Sequence, residues 1–200
     1  MAKRTHGMSV AEPISATAGR RITMELAAAT AFAALTAVGA RLQLQLPFTP
    51  VPVTGQVLCV LLAGGVLGAR LGFVSQVEYL AAGAAGLPVF AYGGGPPALL
   101  GPTAGYLVGF PLAALAVGAL SGRKANPGAA RALAACLGAV AVIYLFGAAW
   151  YAIWSTALGH TTRMAAILAQ SVFPFVPVDA AKAVLAAALF PSLRRRLPFA

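Results

Sequence analysis

The sequence predicts an all-α integral membrane protein of six transmembrane helices, with both termini on the cytoplasmic side. Three observations carry that reading. Composition comes first: 60% of the 200 residues are hydrophobic and only 9% are charged, with a mean hydropathy of +0.85. These values lie outside the range of ordinary soluble domains. Second, long apolar runs alternate with short turns rich in Gly, Pro and polar residues. At roughly 20 residues per crossing, the length suits six spans and leaves no room for a separate soluble domain. Third, the basic residues gather at alternate turns, as the positive-inside rule requires.

Taken in order, residues 1–20 form an expected cytoplasmic tail. They contain no continuous apolar core of the kind a cleavable signal peptide needs. The membrane domain runs over 21–196 and a short C-terminal tail over 197–200. Span one covers 22–42. The stretch "QLQLPFTPVPVTGQ" follows, and its three prolines exclude a continuous helix. Span two covers 55–68 and ends at "LGAR"; span three covers 71–86. The loop "AYGGGPPALLGPTAGY" leads into span four at 102–120, and "SGRKANPG" is a sharp polar turn. "AARALAACLGAVAVIYLFGAAWYAIW" supplies span five. "MAAILAQSVFPFVP" reads as a short helix stopped by prolines, with a re-entrant path open to it. Span six covers 177–193 and runs into "RRR".

With six spans the two termini share a side. Lys3, Arg4, Arg20, Arg21, Arg70, Arg123, Lys124, Arg131 and Arg194–Arg196 lie on that side, against Arg41 and Arg163 opposite. That bias makes the terminal side cytoplasmic. The net charge of +10 is therefore topological. It forms no basic patch interleaved with aromatics, so no nucleic acid is expected. Cys59 and Cys136 lie inside apolar runs and read as small buried hydrophobes; no metal site or cofactor is expected.

The irregular segments gather on the outer side. Non-helical backbone near membrane depth survives only where protein buries it or where it lines a cavity, so a pocket open to the outside is expected. Asp179 and Lys182 stand in the first turn of span six and share a helix face at i and i+3. Ionisable groups at the bilayer centre cost roughly 2.5–3.5 kcal/mol and are functional candidates by default. Lys182 can donate charge-assisted hydrogen bonds and Asp179 can accept them. Mutual neutralisation, or capping of the helix N-terminus by Asp179, is the plainer alternative.

Glu78, beside Gln76 and Tyr79, makes a polar spot in span three, in the pocket, in an interhelical bond or at a proton-coupling site. Thr54 and Gln56 follow the prolines and can supply side-chain hydrogen bonds. Tyr92 and Tyr106 are candidate pocket walls, and Phe48 a part of an outer lid. Gly93 and Gly94 either let backbone approach a ligand or serve a turn. They form no phosphate loop, since no Lys-Ser/Thr pair completes one. Ala29, Ala33 and Ala37 make a small-residue ridge on the first span, suited to close helix packing.

"PFTPVPVTGQ", "LAGGVLGARLG", "YLAAGAAGLPVFAYGGG", "LLGPTAGYLVGF" and "FPFVPVDAAK" follow one another over 43–193. In that order they resemble the BioY family, the biotin-specific S components of energy-coupling factor (ECF) transporters. The resemblance implies the S-component fold, high-affinity binding of biotin from outside, and residence in the bacterial inner membrane. It implies as partners a transmembrane T component and two ABC ATPases. It points to Asp179 and Lys182, through the family's Asp-x-x-Lys motif, as ligand contacts, and to the alanine ridge as the docking face for the T component. Some members carry an arginine just after "PVF"; here "PVFAYGGGPP" has none, which leaves Lys182 as the cation of the expected pocket.

Other classes fit less well. An intramembrane enzyme needs a nucleophile with a base, or a carboxylate dyad, and His160 lies in an expected outer loop. A self-powered pump needs a nucleotide motif. A small secondary carrier, or an S component for another small vitamin, is the alternative.

Overall fold

The computed structural model describes residues 14–122, 127–160 and 163–197, with side chains from residue 19 onward. Residues 1–13, Arg123, Lys124 and 198–200 lie outside the described residues. The element order is α1 (Ile14–Arg41), β1 (Gln43–Leu44), β2 (Val53–Thr54), α2 (Gln56–Ala84), α3 (Pro96–Leu99), α4 (Ala104–Ser121), α5 (Ala129–Ala157), α6 (Met164–Ser171) and α7 (Val176–Arg194). Helix α1 begins ahead of the expected start of span one. The short helix expected before "FPFVP" is α6.

Five of these helices are long and apolar enough to cross a membrane, yet the chain crosses six times. The reason is Gly68, whose φ of 80° and ψ of 179° break α2 into two limbs, 56–67 and 69–84. Only glycine takes that backbone conformation readily. The limbs fold back on each other, so the Gln56 side chain reaches Tyr79 at 2.6 Å. In a straight helix those residues would stand about 35 Å apart, at 1.5 Å per residue. Spans two and three of the sequence reading are these limbs.

An even number of crossings returns the chain to its starting side. Arg194 donates to the Gly122 carbonyl at 2.8 Å, joining the end of α7 to the α4–α5 turn. This arginine-rich end is called inner below, and the end carrying β1, β2, α3 and α6 outer.

Packing follows the logic of lipid rather than of water. Ala113, Ala114, Ala132, Ala139, Ala183 and Ala186 are fully buried, while Leu35, Val38, Leu145, Ile153, Val184 and Leu189 face outward. Hydrocarbon tails solvate leucine well, so helix association depends on close backbone approach between small residues. Gly64 and Gly118 show how close: an added Cβ would overlap the Ala114 carbonyl in one case and the Ala69 backbone in the other.

The first limb of α2 is short. Its residues 56–67 rise about 18 Å, against a hydrocarbon core of about 30 Å. The limb therefore starts beneath the outer surface, with Gln56 buried. The 42–55 segment descends to meet it as a β1–β2 hairpin pairing Gln43 with Thr54 and Leu44 with Val53. The prolines that exclude a helix here make a plug over the shortened limb.

Candidate functional site

Beneath that plug lies a cavity of about 50 Å³. Its roof is Val51–Thr54, its floor includes Gln56 and Phe110, and its sides are Tyr106, Leu107, Ile143, Tyr144, Phe175, Asp179 and Lys182. Residues from the plug and from α2, α4, α5 and α7 converge there. Apolar residues make much of the walls, and α7 supplies the charged ones, Asp179 and Lys182.

Asp179 is buried at 4% exposure and makes no N-terminal cap: the start of α7 has no side-chain cap bond. One carboxylate oxygen instead accepts from Lys182 Nζ at 2.7 Å, and the other accepts from the Tyr144 hydroxyl at 2.8 Å. Lys182 also donates to the Thr54 carbonyl at 2.6 Å, which ties α7 to the plug. An ammonium has three protons and a carboxylate about four lone-pair sites, so both groups keep capacity for a further partner. The result is a donor and an acceptor side by side, held by two helices and a strand.

Around this pair the outer end is stapled by polar bonds. The Gln56 amide donates to Tyr79 at 2.6 Å, and the Tyr79 hydroxyl donates to the Val89 carbonyl at 3.1 Å. The Tyr79 ring meets Phe90 edge-on, at 5.4 Å between centroids. Tyr106 donates to the Ser171 carbonyl. Thr49 donates to the Gln170 carbonyl at 2.7 Å, anchoring the plug on α6, and Tyr92 donates to the Pro50 carbonyl at 2.6 Å. Tyr92 in turn accepts from Gln45 at 2.5 Å.

With this geometry in hand, the BioY family model matches residues 7–199. The chain belongs to the BioY family. The "Probable biotin transporter BioY" of Pyrococcus horikoshii is 42% identical over 81% of this chain and 91% of its own length. The "Biotin transporter BioY" of Rhizobium etli is 39% identical over 84% of this chain and 91% of its own. The fold is similar to a crystal structure of the S-component for biotin from an ECF-type ABC transporter, with a TM-score of 0.76. That match is 23% identical and covers 94% of this chain and 97% of that one.

In this BioY-family chain the cavity brings together Asp179, Lys182, Thr54 and Gln56 of the residues singled out in the sequence, and Tyr106 with them. Tyr79 stands one bond behind, through Gln56. The others lie elsewhere. Glu78 points away, into a groove between α1 and the second limb of α2, where Thr30 donates to it at 3.0 Å. Gln76 donates to Thr36 of α1 instead. Tyr92 is a latch on the outside of the plug. Gly93 and Gly94 make a turn: Phe90 and Gly93 bridge, Gly93 has φ of 97°, and Gly94 packs on the Leu87 carbonyl. Phe48 is exposed at the outer tip.

Ala29 is fully buried, because α1 turns its Ala29–Ala33–Thr36–Ala40 stripe toward the bundle. Ala33 and Ala37 edge the groove that holds Glu78. The sequence reading missed Tyr144, Phe110, Ile143 and Phe175. For Tyr144 there was a signal, a hydroxyl in mid-span within "VIYLFG"; the others are apolar residues in apolar runs and carry none.

Proposed function

We propose that this multi-pass membrane protein is a biotin-binding S component that mediates biotin uptake together with an ECF module. The observation that carries the reading is the Asp179–Lys182 pair in an apolar cavity at the outer end. Biotin has a ureido ring with a carbonyl acceptor between two N–H donors, an apolar fused ring and chain, and a carboxylate. Lys182 next to Asp179 complements the ureido edge: Nζ donates to the carbonyl while the carboxylate accepts an N–H. The ligand's own carboxylate fits this spot poorly, since it would lie against Asp179. Phe110, Ile143 and Phe175 suit the apolar ring. This chain is a transport subunit and not an enzyme. A T component and two ABC ATPases supply the energy, with both termini of this chain on their cytoplasmic side.

At about 50 Å³ the cavity is well below the roughly 300 Å³ at the lower end for small-molecule sites. Binding therefore requires the plug to lift. The Lys182 bond to the Thr54 carbonyl is the one a ligand carbonyl replaces, so plug release and ligand capture are coupled through one ammonium group.

Equilibrium binding of labelled biotin to the purified chain in detergent tests the reading. Folded wild type binds tightly, and Asp179→Asn and Lys182→Ala each weaken binding by about 10–100-fold, the scale of one charged hydrogen bond. A folded wild type that ignores biotin sinks the assignment.

A further inference from the structure

We propose that Arg41, at the outer end of α1, receives the carboxylate of the bound ligand and is the residue by which this chain selects an acid over its neutral analogues. The inference rests on the proposed binding of biotin and adds a partner for the end of the ligand that the α7 pair does not serve. With Lys182 and Asp179 engaged by the ureido edge, the carboxylate at the far end of the apolar chain needs a second cation. Among the described residues that line the cavity, Lys182 is the one base. The second cation therefore has to stand at the rim, and the outer side carries Arg41 and Arg163 there.

Arg41 is the last residue of α1, and the plug begins directly after it. The Gly39 and Leu42 carbonyls, on either side of Arg41, both accept from the Gly55 N–H at 2.9 Å. Arg41 thus stands where the two ends of the plug meet. An arginine in the last turn of a helix ordinarily serves the carbonyls of that helix end. This one reaches across 47 residues of sequence and donates to the Pro88 carbonyl. From there the cavity is near. The next carbonyl, Val89, accepts from Tyr79, Tyr79 accepts from Gln56, and Gln56 and Ala91 are both cavity wall. A guanidinium carries five N–H donors in a planar fork, so the bond to Pro88 leaves an edge for a carboxylate. No acid among the described residues claims that edge: Glu25 pairs with Arg21, Asp179 with Lys182, and Glu78 accepts from Thr30. Arg41 is exposed, so it meets an incoming anion from water. It belongs to α1 and not to the plug, so it keeps its place at the rim when the plug lifts.

The test measures equilibrium binding of biotin and of biotinamide, in which a neutral carboxamide replaces the carboxylate, to the purified chain in detergent. Wild type, Arg41→Gln, Arg41→Lys, Arg163→Gln and Tyr144→Phe are compared, with the thermal midpoint of each recorded. Wild type prefers biotin by about five- to tenfold, between the worth of an exposed ion pair and that of a charged hydrogen bond. Arg41→Gln weakens biotin by that factor and leaves biotinamide within about twofold, so the preference vanishes. Arg41→Lys, a point charge without the fork, keeps part of it. Tyr144→Phe, on the ureido side, weakens both ligands alike, and Arg163→Gln changes neither. Equal weakening of both ligands by Arg41→Gln overturns the inference and makes the Pro88 bond a strut of the fold. A preference that survives Arg41→Gln overturns it, as does one lost in Arg163→Gln, which moves the carboxylate to the α6 side. A wild type that binds both ligands alike overturns it while the proposed function stands. A folded wild type that binds neither strikes the proposed function itself.

Discussion

Two carboxyl groups in this apolar chain are treated in opposite ways. Asp179 is buried, holds two partners on two other residues, and sits beneath a plug that the chain itself supplies. Glu78 is half-open, holds one described partner, and sits in a groove with no cover. On the proposed reading, a buried acid held in place beneath a lid, with acceptor capacity to spare, suits something small that enters from water. The acid on the lateral face is held only by the Thr30 hydroxyl of the neighbouring helix. Partner count and direction of opening, more than sequence context, separate the two surroundings.

The comparison breaks most directly at Lys182. Removing one member of a buried pair strands the other charge and costs about 3–5 kcal/mol. Lys182→Ala should therefore lower the thermal midpoint of the isolated chain sharply, where Glu78→Leu should not. Replacing both, as Asp179→Leu with Lys182→Met, should recover most of that stability while biotin binding stays at least as weak as in Lys182→Ala. A midpoint for Lys182→Ala equal to wild type would mean the pair is solvated and the contrast with Glu78 is false.

Tyr144 comes next. Its hydroxyl is the second partner of Asp179, and a hydrogen bond to a charged group is worth about 1.5–3 kcal/mol. Tyr144→Phe should weaken biotin binding roughly tenfold or more by freeing the carboxylate from its ligand-ready orientation. Unchanged affinity would show that Lys182 alone orients Asp179.

How much of this was legible in the sequence differs between the two regions. Spans were readable because run length and proline placement are local: span two was expected to end at 68 and span three to start at 71, and the chain turns at Gly68. The Asp179–Lys182 face was readable because i, i+3 spacing puts both on one side of a helix. The facing of Glu78 and Ala29 was not. In a soluble protein the polar side of a helix marks its rotation, but here both the packed and the lipid sides are apolar and differ mainly in residue size. A ridge at 29, 33 and 37 can therefore turn inward or outward with equal sense, and it turned partly inward. Gly93 and Gly94 look alike whether they serve a ligand or a turn. Tyr144 escaped because its partner Asp179 lies 35 residues away, and nothing local marks which face of α5 meets α7.

The lid itself separates cavity from groove, and Tyr92 latches it from outside through the Pro50 carbonyl. Tyr92→Phe removes a bond worth about 0.5–1.5 kcal/mol. Since that bond stands in the closed plug and not in the cavity, biotin should dissociate about 2–10-fold faster while assembly with the ECF module is unaffected. Stopped-flow release of labelled biotin reads the first and co-purification the second. A dissociation rate equal to wild type would remove Tyr92 from the lid.

The smallest expected effect probes the open acid. Thr30→Val keeps the shape of the side chain and removes the one described donor to Glu78. Interhelical hydrogen bonds in membranes average about 0.6 kcal/mol, so the midpoint of the isolated chain should move by no more than a degree or two, on the usual relation of free energy to midpoint. Biotin binding should not move at all, because no path of hydrogen bonds among the described residues leads from Thr30 to the cavity. If instead Thr30→Val destabilises the chain as strongly as Lys182→Ala, then the Thr30–Glu78 bond clamps α1 to the bundle. Glu78 would then be as internally committed as Asp179, and the two acids would differ in depth of burial but not in kind. A small shift keeps the distinction: one carboxyl held from two sides by its own chain, the other by a single hydroxyl.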